Sequence, residues 1–121
     1  MCGIAGYFGG KNLETDAIKK TLSVLLRRGP DDQNYKKYSI EDSKILHFFH
    51  TRLSIIDLDP RSNQPLEDNL FSIVFNGELY NYLEIKKNLE SKGIKFSTLS
   101  DTEVILKGYQ VYGKDLFNLM E

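Results

Sequence analysis

The chain has 121 residues, the length of one domain, and its 40% apolar and 27% charged content is that of a globular protein, not a disordered or collagen-like one. Sixteen Lys and Arg against seventeen Asp and Glu give a net charge of −1, so no basic excess argues for nucleic acid. The longest dense apolar run, Phe71-Ser72-Ile73-Val74-Phe75, is far below the ~20 residues that cross a membrane, and the single cysteine, Cys2, excludes an intramolecular disulfide and fits a reducing compartment.

Met1 leads directly into Cys-Gly-Ile-Ala-Gly-Tyr-Phe-Gly-Gly, whose glycines make a poor helical core for an export signal, so the reading expects no leader and a cytoplasmic protein. Residues 3–8 read as a short strand. Over residues 15–27, Ile18, Leu22, Leu25 and Leu26 fall on one face of an amphipathic helix, which Gly29-Pro30 ends before the acidic pair Asp31-Asp32. Residues 35–40, 44–50 and 53–57 are strand-like, a polar loop surrounds Asp59-Pro60-Arg61-Ser62-Asn63, and residues 71–75 form a further apolar strand. Residues 80–92 carry Leu83, Ile85 and Leu89 on a helix stopped by Gly93, residues 94–96 suggest a brief strand, and Ser100-Asp101-Thr102-Glu103 is a capping box opening a helix that Gly113 ends. Consecutive strands with separate helices give an α+β class.

Several side chains could carry chemistry, each with a plain structural alternative. If the initiator methionine is removed, Cys2 holds a thiol and a free α-amine on one residue, and an amine of unperturbed pKa about 7.7–8.0 is partly neutral near pH 7 and able to act as base; otherwise Cys2 is a small buried apolar residue. Asn76-Gly77 is either a type I′ hairpin turn or an oxyanion hole built from the Asn amide and the Gly N–H. Arg52 is a fork for a carboxylate or a surface charge. Asp101 complements a helix dipole or holds a substrate ammonium, and Glu78 shares that ambiguity. His47 and His50, three apart in a β-like stretch, point to opposite faces, so no metal site is expected.

The motifs converge on one family. Met-Cys-Gly-Ile-Ala-Gly at the start, Arg-Gly-Pro-Asp-Asp (28–32), Thr-Arg-Leu-Ser-Ile-Ile-Asp-Leu (51–58), Asn-Gln-Pro-Leu (63–66), Val-Phe-Asn-Gly-Glu-Leu-Tyr-Asn-Tyr (74–82) and Ser-Asp-Thr-Glu-Val-Ile-Leu (100–106) occur in that order. Together they resemble the N-terminal glutaminase domain of glutamine-hydrolysing asparagine synthetases, within the class II, N-terminal-nucleophile amidotransferases. Related amidotransferases that make phosphoribosylamine or glucosamine phosphate share the Cys and the Asn-Gly but lack the Arg-Gly-Pro-Asp and Arg-Leu-Ser-Ile-Ile-Asp forms. The resemblance implies a four-layer α/β/β/α sandwich over residues 1–121, incomplete at its C-terminal end. It implies Cys2 as nucleophile, Asn76 and Gly77 as oxyanion hole, Arg52 for the glutamine α-carboxylate, Asp101 with Glu78 for the α-ammonium, and the backbone around Leu53 and Ile55 as pocket lining. The implied substrate is L-glutamine and the implied partner a synthetase domain of the same parent chain. No cofactor is expected here; ATP and Mg belong to that synthetase domain. Self-association at an uncovered sheet edge is a further expectation. Two positions depart from the family pattern: Arg27 where His is usual, and Gln33-Asn34 where a Gly often follows, both placed by this reading in a loop covering the site. Two alternatives stand beside it: a sugar or antibiotic acceptor in place of aspartate, and a non-catalytic assembly module.

Overall fold

The computed structural model describes residues 2–54 and 59–121. Its elements run β1 (Gly3–Gly9), α1 (Thr15–Leu25), β2 (Asp32–Ile40), β3 (Lys44–Arg52), β4 (Leu66–Glu67), β5 (Ser72–Ile73), α2 (Tyr82–Ser91) and α3 (Asp101–Tyr112), with short 3-10 turns at Pro60–Ser62 and Gly113–Asn118. The described residues make a mixed α/β fold with two small sheets and three helices, and each strand pairing among them is antiparallel.

β3 is central in a sheet of order β1-β3-β2. It is also the strand whose second half, His47 and Phe49 to Arg52, is fully buried. The tight turn of the β2–β3 hairpin is made by Asp42 and Ser43, at φ 59° and 58°, and Asp tolerates the left-handed region because its short polar side chain bonds locally. Side chains alternate across a strand, and the two faces have different fates. The Thr51 hydroxyl donates to the Leu25 carbonyl at 2.9 Å, attaching α1 to the face shared by His47, Phe49 and Thr51. On the opposite face Tyr38 reaches the second sheet, its hydroxyl bonded to Glu67 Oε2 at 3.0 Å and Ser72 Oγ at 2.6 Å, and Lys36 pairs with Glu67. The second sheet, β4 against β5, is tied in turn to α3 by Asp68 with Gln110 and by the edge-on Phe71 and Tyr109 rings, 5.3 Å apart.

The main apolar core lies between α2, α3 and the turn after it: Leu79, Ile85, Leu89, Val104, Ile105 and Leu116. The amphipathic reading of α1 holds for Ile18, Leu22 and Leu25, which are half-buried, whereas Leu26 falls past the helix end and is exposed. In α2, Ile85 and Leu89 are buried in the core, but Leu83 is 64% exposed and takes no part in it. α2 and α3 are followed by Gly93 at φ 86° and Gly113 at φ 56°, a conformation that favours glycine as a helix stop.

Four strand expectations change. Residues 94–96 form no strand; Ile94 N–H instead bonds the Leu89 carbonyl at 3.1 Å, closing the end of α2. Residues 71–75 shrink to Ser72–Ile73, paired with Leu66–Glu67, a partner too short to show a period in sequence. β3 carries on through Arg52, so Leu53 and Ser54 follow a strand and do not open one, and the remainder of 53–57 lies outside the described residues. β2 begins at Asp32, which places Gln33 and Asn34 in the sheet opposite Thr51 and His50 and not in a covering loop. No helix among the described residues is long and apolar enough to cross a membrane.

Candidate active site

The site begins where β1 and β3 end side by side. The register sets Gly3 opposite Thr51, which carries Cys2 alongside Arg52 and Leu53. Leu53 N–H donates to Cys2 Sγ at 3.5 Å, and Sγ lies 3.7 Å from the Leu53 carbonyl. A backbone donor therefore faces the atom that bears charge in a thiolate.

The Arg-Gly-Pro-Asp-Asp segment is built onto this strand end. Gly29 is buried, and a β-carbon there would stand 2.4 Å from the Thr51 carbonyl oxygen, so only glycine allows the segment to lie this close. On either side of it, Arg28 Nε donates to the Cys2 carbonyl at 3.1 Å, Asp31 N–H to the Arg52 carbonyl at 2.9 Å, and Ser54 N–H to Asp31 Oδ2 at 2.7 Å. The motif thus fixes the backbone of Cys2 and of the end of β3 beside it. Arg27, by contrast, lies on the exposed turn after α1.

Arg52 is only 6% exposed. Its Nη1 donates to the Asp59 carbonyl at 3.2 Å and to Asn63 Oδ1. These two acceptors help orient the guanidinium. Facing it across the cleft, Asp101 opens α3 and is 7% exposed, with Leu79 N–H donating to its Oδ2 at 3.1 Å and the Thr102 hydroxyl 3.4 Å from its Oδ1. The capping box is altered: Ser100 Oγ accepts from Thr102 N–H at 3.1 Å, but Glu103 reaches back beyond the cap to Ser97 and Thr98 N–H at 2.7–3.1 Å. This use of Glu103 draws the loop before α3 tightly under the helix start.

One cleft is lined by Cys2, Arg52, Leu53, Gly77, Glu78 and Asp101, together with Ser62, Gln64, Phe75, Ser100 and Thr102. Six of the expected site residues therefore meet there. Asn76, half-buried between Phe75 and Gly77, is not part of the lining. Ile55 lies outside the described residues. Of the two readings of Asn76-Gly77, the hairpin fails. A type I′ turn needs positive φ at both central residues, and neither Asn76 nor Gly77 has it. Gly77 instead packs under the Phe75 ring, where a β-carbon would stand 2.8 Å from Cζ.

The family model for the glutamine amidotransferase domain matches residues 1–121. The chain belongs to that family. It is 40% identical, over 95% of its length, to the glutamine-hydrolyzing asparagine synthetase 1 of Bacillus subtilis, of which it covers 18%. It is 35% identical over its whole length to the glutamine-hydrolyzing asparagine synthetase 2 of Oryza sativa, covering 20%, and 34% identical over 93% of its length to amidase chry2 of Gibberella zeae, covering 18%. This amidotransferase chain thus spans about a fifth of the length of the curated relatives it matches.

Two buried histidines lie on β3, one on each face of the sheet. His47 lies on the α1 face, its Nδ1 2.8 Å from the Tyr35 hydroxyl, and burial and then Lys37 push its pKa down. His50 lies on the cleft face, in register between Ile4 and Asn34 and two residues from Arg52. Neither of its ring nitrogens has a hydrogen-bond partner among the described residues. Burial, then the Arg52 guanidinium, push its pKa down to about 4 against a weaker opposing influence of the Phe75 backbone. Among the described residues no group of three His, Cys, Asp or Glu converges as a metal site would require.

Sequence reasoning left five lining residues without a role: Ser62, Gln64, Phe75, Ser100 and Thr102. Gln64 stands in the Asn-Gln-Pro-Leu motif, which pointed to the family but to no contact. Ser100 and Thr102 were accounted for by the helix cap, which hid their second use.

Proposed function

We propose that this chain is the glutamine-hydrolysing part of an asparagine synthetase-like enzyme. The observation that carries the reading is the convergence of Cys2, a buried cation and a buried carboxylate on one cleft. A free amino acid is a zwitterion. Binding it takes one fixed positive and one fixed negative group held apart, with the side chain delivered to the nucleophile. In this reading Arg52 holds the α-carboxylate and Asp101, with Glu78, the α-ammonium. The amide carbonyl is then presented to Cys2 beside Leu53, and backbone at 53 and 55 lines the substrate's path.

The reaction requires Cys2 to be the first residue, with Met1 removed. Its α-amine then takes the thiol proton, and the thiolate attacks the amide carbon. The tetrahedral oxyanion is held by the Asn76 amide and the Gly77 N–H. Collapse breaks the C–N bond. The departing nitrogen takes the proton from the Cys2 ammonium and leaves as ammonia, and a γ-glutamyl thioester remains. Water, deprotonated by the same amine, attacks the thioester; glutamate leaves and the thiol is restored. Arg28 bears on this chemistry by holding the Cys2 carbonyl, which steadies the residue that is nucleophile and base at once.

In the wider reading, residues 1–121 are part of an N-terminal-nucleophile domain of four α/β/β/α layers. The layering α1, three-stranded sheet, β4–β5, α3 supports that assignment. Ammonia then passes to a synthetase domain of the same parent chain, which uses ATP and Mg to amidate aspartate; no residue of this chain is assigned to those groups. The protein is read as cytoplasmic, with no nucleic-acid or membrane partner.

The test pairs intact mass with glutamate release on the intact protein. The expected result is a chain lacking Met1 that hydrolyses glutamine, with activity abolished in Cys2→Ala. Glutamate release surviving Cys2→Ala overturns the reading. Supplying aspartate, ATP and Mg should yield asparagine; a competent glutaminase that yields none points to a different amide acceptor.

A further inference from the structure

Gln64 is 7% exposed and lies in a loop that precedes β4, far in sequence from both ends of the cleft it lines. Its side-chain amide makes two hydrogen bonds. Phe75 N–H donates to Oε1, and Nε2 donates to Thr102 Oγ1 at 3.1 Å. The orientation of the amide is not arbitrary: a backbone N–H can only donate, so the atom facing Phe75 is the oxygen and the atom facing Thr102 is the nitrogen. Thr102 Oγ1, having accepted that bond, keeps its own proton for Asp101 Oδ1, 3.4 Å away. Asp101 Oδ2 then accepts the N–H of Leu79 at 3.1 Å. The chain of bonds closes on itself. It starts at the backbone of Phe75, passes through Gln64, Thr102 and Asp101, and returns to the backbone at Leu79. The residues enclosed are Asn76, Gly77 and Glu78. Gln64, Thr102 and Asp101 are all at least nine-tenths buried, so each broken link leaves a polar group without water to replace its partner.

We propose that Gln64 and Thr102 are positioning residues that lock the oxyanion segment 76–78 to the carboxylate that takes the substrate ammonium, so that one bonded unit sets the distance between the two ends of the bound amino acid. The inference rests on the roles proposed above for Asn76, Gly77 and Asp101. Neither Gln64 nor Thr102 touches a reacting atom. Thr102 sets the direction of the Asp101 carboxylate, and Gln64 sets the height of the Phe75 backbone over the cleft. Because the amide donates at one end and accepts at the other, a group of the same shape that only accepts cannot serve. In Gln64→Glu, a carboxylate oxygen would face Thr102 and draw its proton away from Asp101.

The experiment measures glutamine hydrolysis by the intact protein in Thr102→Val, Thr102→Ser, Gln64→Met, Gln64→Glu and the double variant Gln64→Met/Thr102→Val, with Cys2→Ala alongside. Thr102→Val keeps volume and removes only the hydroxyl. The expected results are a loss in kcat/KM of about 10- to 100-fold in Thr102→Val, Gln64→Met and Gln64→Glu. Thr102→Ser should stay within about twofold of the parent, and the double variant should be no worse than the weaker single, as for residues that act as one unit. The two single variants should divide their loss between KM and kcat in the same way, because either break undoes the same bonded unit. If Gln64→Met fails to fold, the Val and Ser pair at 102 carries the test. Unchanged kinetics in folded Thr102→Val, or full additivity in the double variant, overturn the coupling while a dead Cys2→Ala leaves the glutaminase reading intact. A Cys2→Ala as active as the parent overturns both.

Discussion

Gly29 rests on the backbone of Thr51 so closely that a β-carbon would come within 2.4 Å of the Thr51 carbonyl oxygen and 2.5 Å of its carbon. These are backbone atoms of the central strand, which cannot swing aside as a side chain could. Gly29→Ala should destabilise the fold by about 1–3 kcal/mol, the usual cost of forced overpacking. It should also loosen Arg28 from the Cys2 carbonyl. Chemical denaturation reads the first effect, and the rate of Cys2 alkylation in the native state reads the second. An alanine variant as stable as the parent contradicts this account of the motif.

The two ends of the cleft differ in what a conservative change removes. Arg52 is oriented by the Asp59 carbonyl and the Asn63 side chain. A lysine keeps the charge but loses the planar fork, so Arg52→Lys should raise KM for glutamine by about 10- to 100-fold with a smaller effect on kcat. Steady-state glutamate release checks this. A fall in kcat at constant KM places Arg52 away from ground-state binding.

Acid should weaken the fold through His50. Burial holds its pKa near 4, against an ordinary 6.5. Between those values the unfolded chain binds a proton that the folded chain refuses. The contribution of a neutral His50 is therefore complete above about pH 6.5, is lost steadily as the pH falls towards 4, and changes no further below. His47, whose pKa is lowered by burial, acts in the same direction. Urea midpoints measured across this range should fall more steeply in the parent than in His50→Asn, where part of the slope, due to His47, persists. Equal slopes in the two proteins exclude His50 as the source.

The core makes opposite predictions for two leucines on one helix. Leu89 is fully buried and Leu83 is 64% exposed. Leu89→Ala should cost about 2–5 kcal/mol, the range for a buried leucine that leaves a cavity. Leu83→Ala should change stability by no more than about 0.5 kcal/mol. Thermal melts of the two variants, side by side, decide it.

Local order alone was enough to place the helices, strands over 35–40 and 44–50, and the stops at Gly93 and Gly113, since periodicity and glycine punctuation depend only on neighbours along the chain. The same holds for family membership, which six ordered motifs carry. β4 and β5 were not predictable in this way. Two-residue strands have no period, and their pairing exists because the strand at Tyr38 offers them hydroxyl and charge partners from the other sheet. Nor could local order choose between a hairpin and a site at Asn76-Gly77: both need the same dipeptide, and φ, which distinguishes them, is set by the packing of Phe75 and by anchors at Gln64 and Asp101. Gln64 makes the same point. A buried amide is recognised by its two partners, and these lie 11 and 38 residues away. Residue types and their sequence order therefore specify the available chemistry. Which groups share a cleft is settled by long-range hydrogen bonds, whose partners no local pattern records.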